Sequence, residues 1–129
     1  MSTKIFEIQQ KIFSTLTNSE QLMEIVTGVY DYVPENAETP YVTFSRILST
    51  SDTTKTNNGS EKLSFFIEIW SQSKGRKEVV QVLSLVEQLL EPEFVMDSIE
   101  VIEQKAMSRE VAEEAYGLYH ATLEFQIII

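Results

Sequence analysis

The strongest constraint on the fold is an alternation of apolar and polar residues over Lys62–Ser71. Successive side chains of a β-strand point to opposite faces, so a period of two predicts a half-buried strand. The residues on its predicted inner face are Leu63, Phe65, Ile67 and Ile69. The segment Leu118–Ile128 repeats the pattern with Tyr119, Ala121, Leu123, Phe125 and Ile127. The chain must therefore bury one face of a sheet.

Two other segments repeat with the period of an α-helix. The first is Lys4–Leu16, preceded by Thr3 as a candidate N-cap. The second is Lys74–Leu90, and Glu91-Pro92 ends it because proline does not continue a helix. Their apolar stripes are Ile5, Ile8, Ile12 and Leu16, and Val79, Val82, Leu83, Val86, Leu89 and Leu90. Each helix therefore has one side to bury.

The region after the first helix carries shorter signals. Asn18 and Gln21 have the spacing of a capping box and predict a helical turn, which Gly28 ends. The next segment, Val29–Tyr32, is predicted to be extended, and Tyr41–Ser49 is predicted to be a strand.

A polar stretch, Ser49–Ser60, separates this strand from the alternating one, and Asn58-Gly59 within it is typical of a tight turn. These features predict a long polar hairpin loop. Toward the end of the chain, Ser98–Lys105 predicts another strand. The acidic segment Met107–Tyr116 has no period and predicts a loop or a short helical turn.

The order of these elements predicts the fold class. We expect an α+β fold, with an antiparallel sheet of about four main strands and the two principal helices packed on one face. The 129 residues suit one domain, 1–129, because neither a linker nor an internal repeat divides them.

The charge balance excludes several classes of partner. Ten basic and twenty acidic residues give a formal charge of −10, which argues against sequence-independent binding of nucleic acid or of an anionic membrane. The same charge permits a basic partner, or a wall that repels DNA. Neither a signal peptide nor an apolar run of about 20 residues is present, so we expect a soluble protein that begins in the cytoplasm.

The residues that carry chemistry are few. There is no cysteine, and His120 is the single histidine, so the usual zinc sites and disulfides are excluded. No nucleophile-elbow pattern surrounds a serine, and the four glycines are too scattered for a phosphate loop. Glu113-Glu114 is interpreted as a solvated pair, while Asp31 and Glu68 have the potential to meet across the sheet. We therefore predict no enzyme activity, no cofactor and no metal.

Several side chains suit a contact between subunits. Trp70 lies opposite the predicted inner face, where it either forms a second, partly buried layer beneath a helix or the N-terminal segment, or contacts a neighbouring subunit. His120 is interpreted as a surface or interface residue. The chain ends in Ile127-Ile128-Ile129, which places apolar residues on both faces of the last strand and so suggests a neighbour.

Three blocks of sequence resemble the tail-completion, or head–tail joining, proteins of long-tailed bacteriophages. The first joins Val29-Tyr30-Asp31-Tyr32-Val33-Pro34 to Thr39-Pro40-Tyr41-Val42-Thr43-Phe44 after a short gap. The second is a strand that ends in Trp-Ser before a Gly-Arg helix start, covering residues 66–78. The third covers residues 117–125. With the N-terminal helix, the likeness extends over nearly the whole chain.

The resemblance implies a structural subunit that carries no cofactor. Six copies would form a ring at the head-proximal end of the tail, joining the tail tube to the head connector and letting DNA pass without specific binding. It would stand at the head–tail junction of the virion. Whether it terminates tail growth or joins the tail to the head stays open, and the alternative is a soluble adaptor that binds another protein.

The candidate interface residues are drawn from the apolar and aromatic positions above and from the hairpin tip, which is expected to contact the tube or a neighbour. They are Trp70, Arg76, Tyr119, His120, Thr53, Lys55, Asn57, Asn58, Ile128 and Ile129.

Overall fold

The computed structural model describes residues 3–52 and 60–129 and confirms the α+β fold. Three helices and five strands follow in the order α1 (Thr3–Thr17), α2 (Glu20–Met23), β1 (Val29–Tyr30), β2 (Tyr41–Asp52), β3 (Ser60–Ser71), α3 (Lys77–Leu89), β4 (Glu103–Ala115) and β5 (Leu118–Ile128). The turn predicted at Asn58-Gly59 lies outside the described residues.

All five strands form one sheet in the order β1-β2-β3-β5-β4. The four long strands pair antiparallel, as predicted, while the two-residue β1 pairs parallel to the start of β2. The strands β3 and β5 lie in the centre of the sheet. Because their apolar residues alternate with polar ones, all the apolar residues of one face of each strand pack against the core.

The core lies between the inner face of the sheet and the helices. Phe65 and Ile67 of β3 pair in register with Phe125 and Leu123 of β5, and each of the four is almost fully buried. The helical stripes cover them with Ile8, Ile12 and Leu16 from α1 and Val79, Val82, Leu83, Leu85 and Val86 from α3. The opposite face of the sheet, which we call the helix-free face, is left without a helical layer.

The strand predicted at Ser98–Lys105 and the loop predicted at Met107–Tyr116 were both placed wrongly. A single strand, β4, begins only at Glu103 and continues to Ala115 as an edge of the sheet. Its sequence does not alternate between apolar and polar residues, because most of its side chains are exposed on both faces of the sheet. Its backbone hydrogen bonds to β5 hold it extended. Bulges near Met107 and Glu114 further disturb its period.

The helix boundaries also differ from the prediction in detail. Thr3 already lies within α1. The cap of α2 is Ser19, not Asn18, since the Ser19 hydroxyl accepts a hydrogen bond from the Leu22 amide at 3.1 Å. Gly28 does not end this helix, which stops at Met23.

Candidate assembly interface

A stacked pair of aromatic rings stands on the helix-free face. Trp70 of β3 and His120 of β5 are paired in register, and their ring centroids are 4.0 Å apart with an interplanar angle of 7°. The described helices lie on the other side of the sheet, so the prediction that a helix covers Trp70 is wrong. Both rings are half-buried, and each shields one face of the other from solvent.

Two carboxylates approach the histidine ring. His120 Nε2 lies 3.1 Å from Glu68 Oε1, and His120 Nδ1 lies 3.7 Å from Glu114 Oε2. Glu114 is therefore not simply a solvated charge. Glu68 does not pair with Asp31, because Asp31 instead accepts a hydrogen bond from Gln9 of α1. The group is a polar and aromatic cluster on the surface, with the carboxylates beside both nitrogens of the ring.

The surface continues to the neighbouring strand. Tyr41 of β2 is in register with Trp70, and its ring meets that of Tyr30 edge to face at 5.8 Å. Burial raises the pKa of the Tyr41 phenol, with smaller contributions from the negative charge of Glu68 and from Tyr30. The phenol therefore stays neutral and able to donate a hydrogen bond at ordinary pH.

At the same end of the sheet, a short basic loop leads into α3. Arg76 lies over the ring of Tyr119, 5.4 Å from the guanidinium carbon to the ring centroid. Tyr119 itself is buried, so the accessible part of this pair is the arginine. The loop is held by Ser71, whose hydroxyl donates to Glu78 at 2.6 Å and accepts from the amide of Ser73 at 3.2 Å.

The remaining candidate residues lie elsewhere. Ile128 is in register with Lys62, eight residues along β3 from Trp70, which corresponds to roughly 27 Å. Ile129 exchanges two backbone hydrogen bonds with Glu61, so the end of the chain is tied into the sheet. The hairpin candidates Thr53, Lys55, Asn57 and Asn58 lie outside the described residues.

Sequence reasoning missed a rigid corner where α3 meets β4. The Gln104 amide donates to the carbonyls of Leu90 and Pro92, both at 2.8 Å, while its oxygen accepts from the Phe94 amide at 2.9 Å. Phe94 is buried against Phe125, with ring centroids 6.0 Å apart. No local pattern announces these contacts, because Gln104 lies on a different element from the groups that it binds.

Beside this corner, an ion pair joins the edge strand to α3. Arg109 donates two hydrogen bonds to the Glu87 carboxylate, and the distance from Nε to Oε1 is 2.5 Å. The bidentate bond lowers the pKa of the Glu87 carboxyl, against a weaker opposing effect of burial, and raises the pKa of Arg109. Part of β4 is thereby fixed to the helical layer.

Among the described residues there is neither a candidate metal cluster nor a candidate membrane-spanning helix. Within residues 3–52 and 60–129, no group of three His, Asp or Glu side chains could hold a metal ion. None of the helices in those ranges is long and apolar enough to cross a membrane. Fold and surface together define a small α+β domain with an aromatic and polar cluster on the helix-free face.

The sequence profile of a family described as "Tail completion protein gp17" matches residues 10–129. The chain therefore belongs to this family of phage tail-completion proteins. The resemblance carried by the three sequence blocks is thus confirmed. None of the curated proteins compared with the chain matches it significantly.

Two solved structures share the fold. One, described as the virion of a native gene transfer agent particle, has a TM-score of 0.79 at 16% identity, covering 91% of this chain and 90% of the other. The second is the gp17 protein of bacteriophage SPP1, with a TM-score of 0.65 at 22% identity, covering 94% of this chain and 87% of the other.

Proposed function

We propose that this chain forms a ring, with six copies, that completes the phage tail and joins the tail tube to the head connector. The observation that carries the proposal is the family match over residues 10–129. Its place of action is the head–tail junction of the virion, after assembly in the host cytoplasm.

The organisation of the chain suits a ring subunit. Its buried apolar residues form one core cluster, which supports a single domain spanning residues 1–129. A rigid sheet with helices on one side leaves the helix-free face and the two flanks available to neighbours. In a ring each copy uses two different flanks, one toward each neighbour.

The aromatic pair and the end of the last strand are proposed contact regions. Trp70 and His120 present a rigid, half-buried surface of the type favoured at protein interfaces. Ile128 offers an apolar contact at the opposite end of the same face. A formal charge of −10 would repel the DNA backbone and so keep passing DNA mobile.

The test starts from a phage whose genome encodes this chain and deletes that coding sequence. The particles that the deletion phage makes are then examined by electron microscopy. The proposal expects full heads beside separate, unjoined tails, and the unmodified chain supplied in trans should restore joined particles. Overlong tails would assign the function to termination of tail growth instead. Normal infectious particles would overturn the proposal and leave the soluble adaptor in its place.

A further inference from the structure

The two ends of α3 carry charges of opposite sign. Lys74, Arg76 and Lys77 stand exposed at its start, where no described carboxylate lies within salt-bridge distance. Immediately after the helix, Glu91 and Glu93 are exposed and likewise have no ion pair among the described residues. The helix has 13 residues, so these two patches are about 20 Å apart.

This arrangement is unfavourable for the helix itself. The backbone dipole places partial positive charge at the start of a helix and partial negative charge at its end, so cations belong at the end and carboxylates at the start. In this chain most of the charges are placed the other way round, with cations at the start of α3 and carboxylates after its end. Glu78 is the acidic residue of the first turn, and its carboxylate is engaged by Ser71. The charges are therefore better explained by a partner than by the stability of α3.

Each patch also surrounds an exposed apolar side chain. At the start of α3, Val80 is 42% exposed in a shallow groove bordered by Arg76 and Lys77. After the helix, Val95 is 88% exposed between Glu93 and Asp97. The two sites are therefore complementary. Both have an apolar centre, and the border of one is basic while the border of the other is acidic.

The acidic site is held in a fixed shape. Gln104 binds the backbone of Pro92 and Phe94, and the buried Phe94 ring anchors the segment from below. With Phe94 directed into the core, its neighbour Val95 is left facing outward. A site that is ordered before binding loses little conformational entropy when a partner arrives.

We propose that residues 91–97 of one copy dock on the start of α3, around Arg76, Lys77 and Val80, of the next copy. The inference rests on the proposed ring function and specifies its interface. Because the two sites lie at opposite ends of one helix, the contact is head-to-tail, and a rotation of one sixth of a turn between copies closes it into the six-membered ring. The helix end of one copy also approaches the helix start of the next, which aligns their dipoles favourably.

Charge reversal tests the contact. One variant carries Lys74→Glu, Arg76→Glu and Lys77→Glu, and the other carries Glu91→Lys, Glu93→Lys and Asp97→Lys. Each variant alone has two sites of the same sign, so we expect loss of cross-linked hexamer and at least a tenfold loss of particle joining in trans. A 1:1 mixture should recover both, because copies of the two variants can alternate around a six-membered ring.

The chain with all six reversals is the sharpest control, since it keeps the formal charge of −10 and should assemble like the unmodified chain. Glu110→Lys reverses an exposed charge on β4, where it pairs in register with Thr122 and lies at neither end of α3, and should also assemble normally. If either triple variant folds poorly, Lys77→Glu and Glu93→Lys provide a milder pair.

Normal assembly by each variant alone, or no recovery in the mixture, would overturn the proposed interface. The proposed function would still stand if the unmodified chain restores joining in the deletion phage. If that phage joins its particles without the chain, the ring function itself fails. The two failures are therefore distinguishable.

Discussion

Trp70 and His120 lie face to face across β3 and β5, with 4.0 Å between ring centroids, while Glu68 approaches the imidazole at 3.1 Å. None of the described helices covers this side of the sheet, so the two rings are covered only by each other and by their neighbours on the strands. Each ring shields apolar surface of the other, and the carboxylate limits rotation of the imidazole. The contact surface is therefore rigid before any neighbour is present.

Removing either ring should lower stability and leave the chain folded. We expect the interaction between Trp70 and His120 to contribute about 0.5–1.5 kcal/mol, the usual range for an aromatic pair. A double-mutant cycle of Trp70→Ala and His120→Ala, followed by urea unfolding, measures this coupling. Lys62→Ala, on the same face and at the far end of β3, is the matched control. Additive effects of the two substitutions would show that the stack contributes nothing.

The ion pair between Glu87 and Arg109 predicts a specific dependence of stability on acid. Since Arg109 lowers the pKa of Glu87 in the folded chain, the contribution is present above the ordinary value of 4.5 and is lost as the pH falls through the lower folded value. The free energy of unfolding should decrease in that window. Both side chains are well exposed, so the effect should be small and should weaken in salt.

Glu87→Gln isolates this contribution. Its free energy of unfolding should change less steeply than that of the unmodified chain below pH 4.5, with the difference vanishing at the lowest pH. Glu91→Gln removes an exposed carboxylate without an ion pair among the described residues and is the control. Identical acid profiles for Glu87→Gln and the unmodified chain would contradict the assignment.

The central sheet could be read from the sequence, whereas its edge could not. The strands β3 and β5 are packed on one face, so burial imposes a period of two on Phe65, Ile67 and their partners. The edge strand β4 faces solvent on most of its surface, and burial imposes no pattern there. The interface contacts follow the same rule: Trp70 was recognisable as an aromatic on the outer face, but its stacking on His120 depends on register.

Long-range polar contacts were equally invisible. Nothing in the segment around Gln104 indicates that its amide binds three backbone groups beyond the end of α3. The charges at 74–77 and 91–93 could be counted from the sequence. The predicted helix Lys74–Leu90 already places them at its two ends, whereas the exposure of Val80 and Val95 beside them needed the structure.

Gln104→Ala should loosen the corner between α3 and β4. The substitution removes partners of two carbonyls and one amide, and we expect a loss of about 1–3 kcal/mol because such groups are costly to leave unsatisfied. Hydrogen exchange at the Phe94 amide should accelerate as well. Gln88→Ala, on the exposed side of α3, should have little effect on either. Unchanged exchange at Phe94 would show that the side chain does not hold the segment.

The last prediction concerns Gly28, a position that has no room for a side chain. A β-carbon there would lie 2.5 Å from the ring of Tyr30, which itself packs edge to face on Tyr41. Gly28→Ala must therefore displace the Tyr30 ring, and we expect a destabilisation of about 1–3 kcal/mol, typical of overpacking. In a Tyr30→Ala background the same substitution should be nearly neutral, because the obstructing ring is gone. Urea unfolding of the four chains measures the difference. An equal penalty in both backgrounds would place the cause in the backbone of residue 28, and the Tyr30 ring would have no part in it.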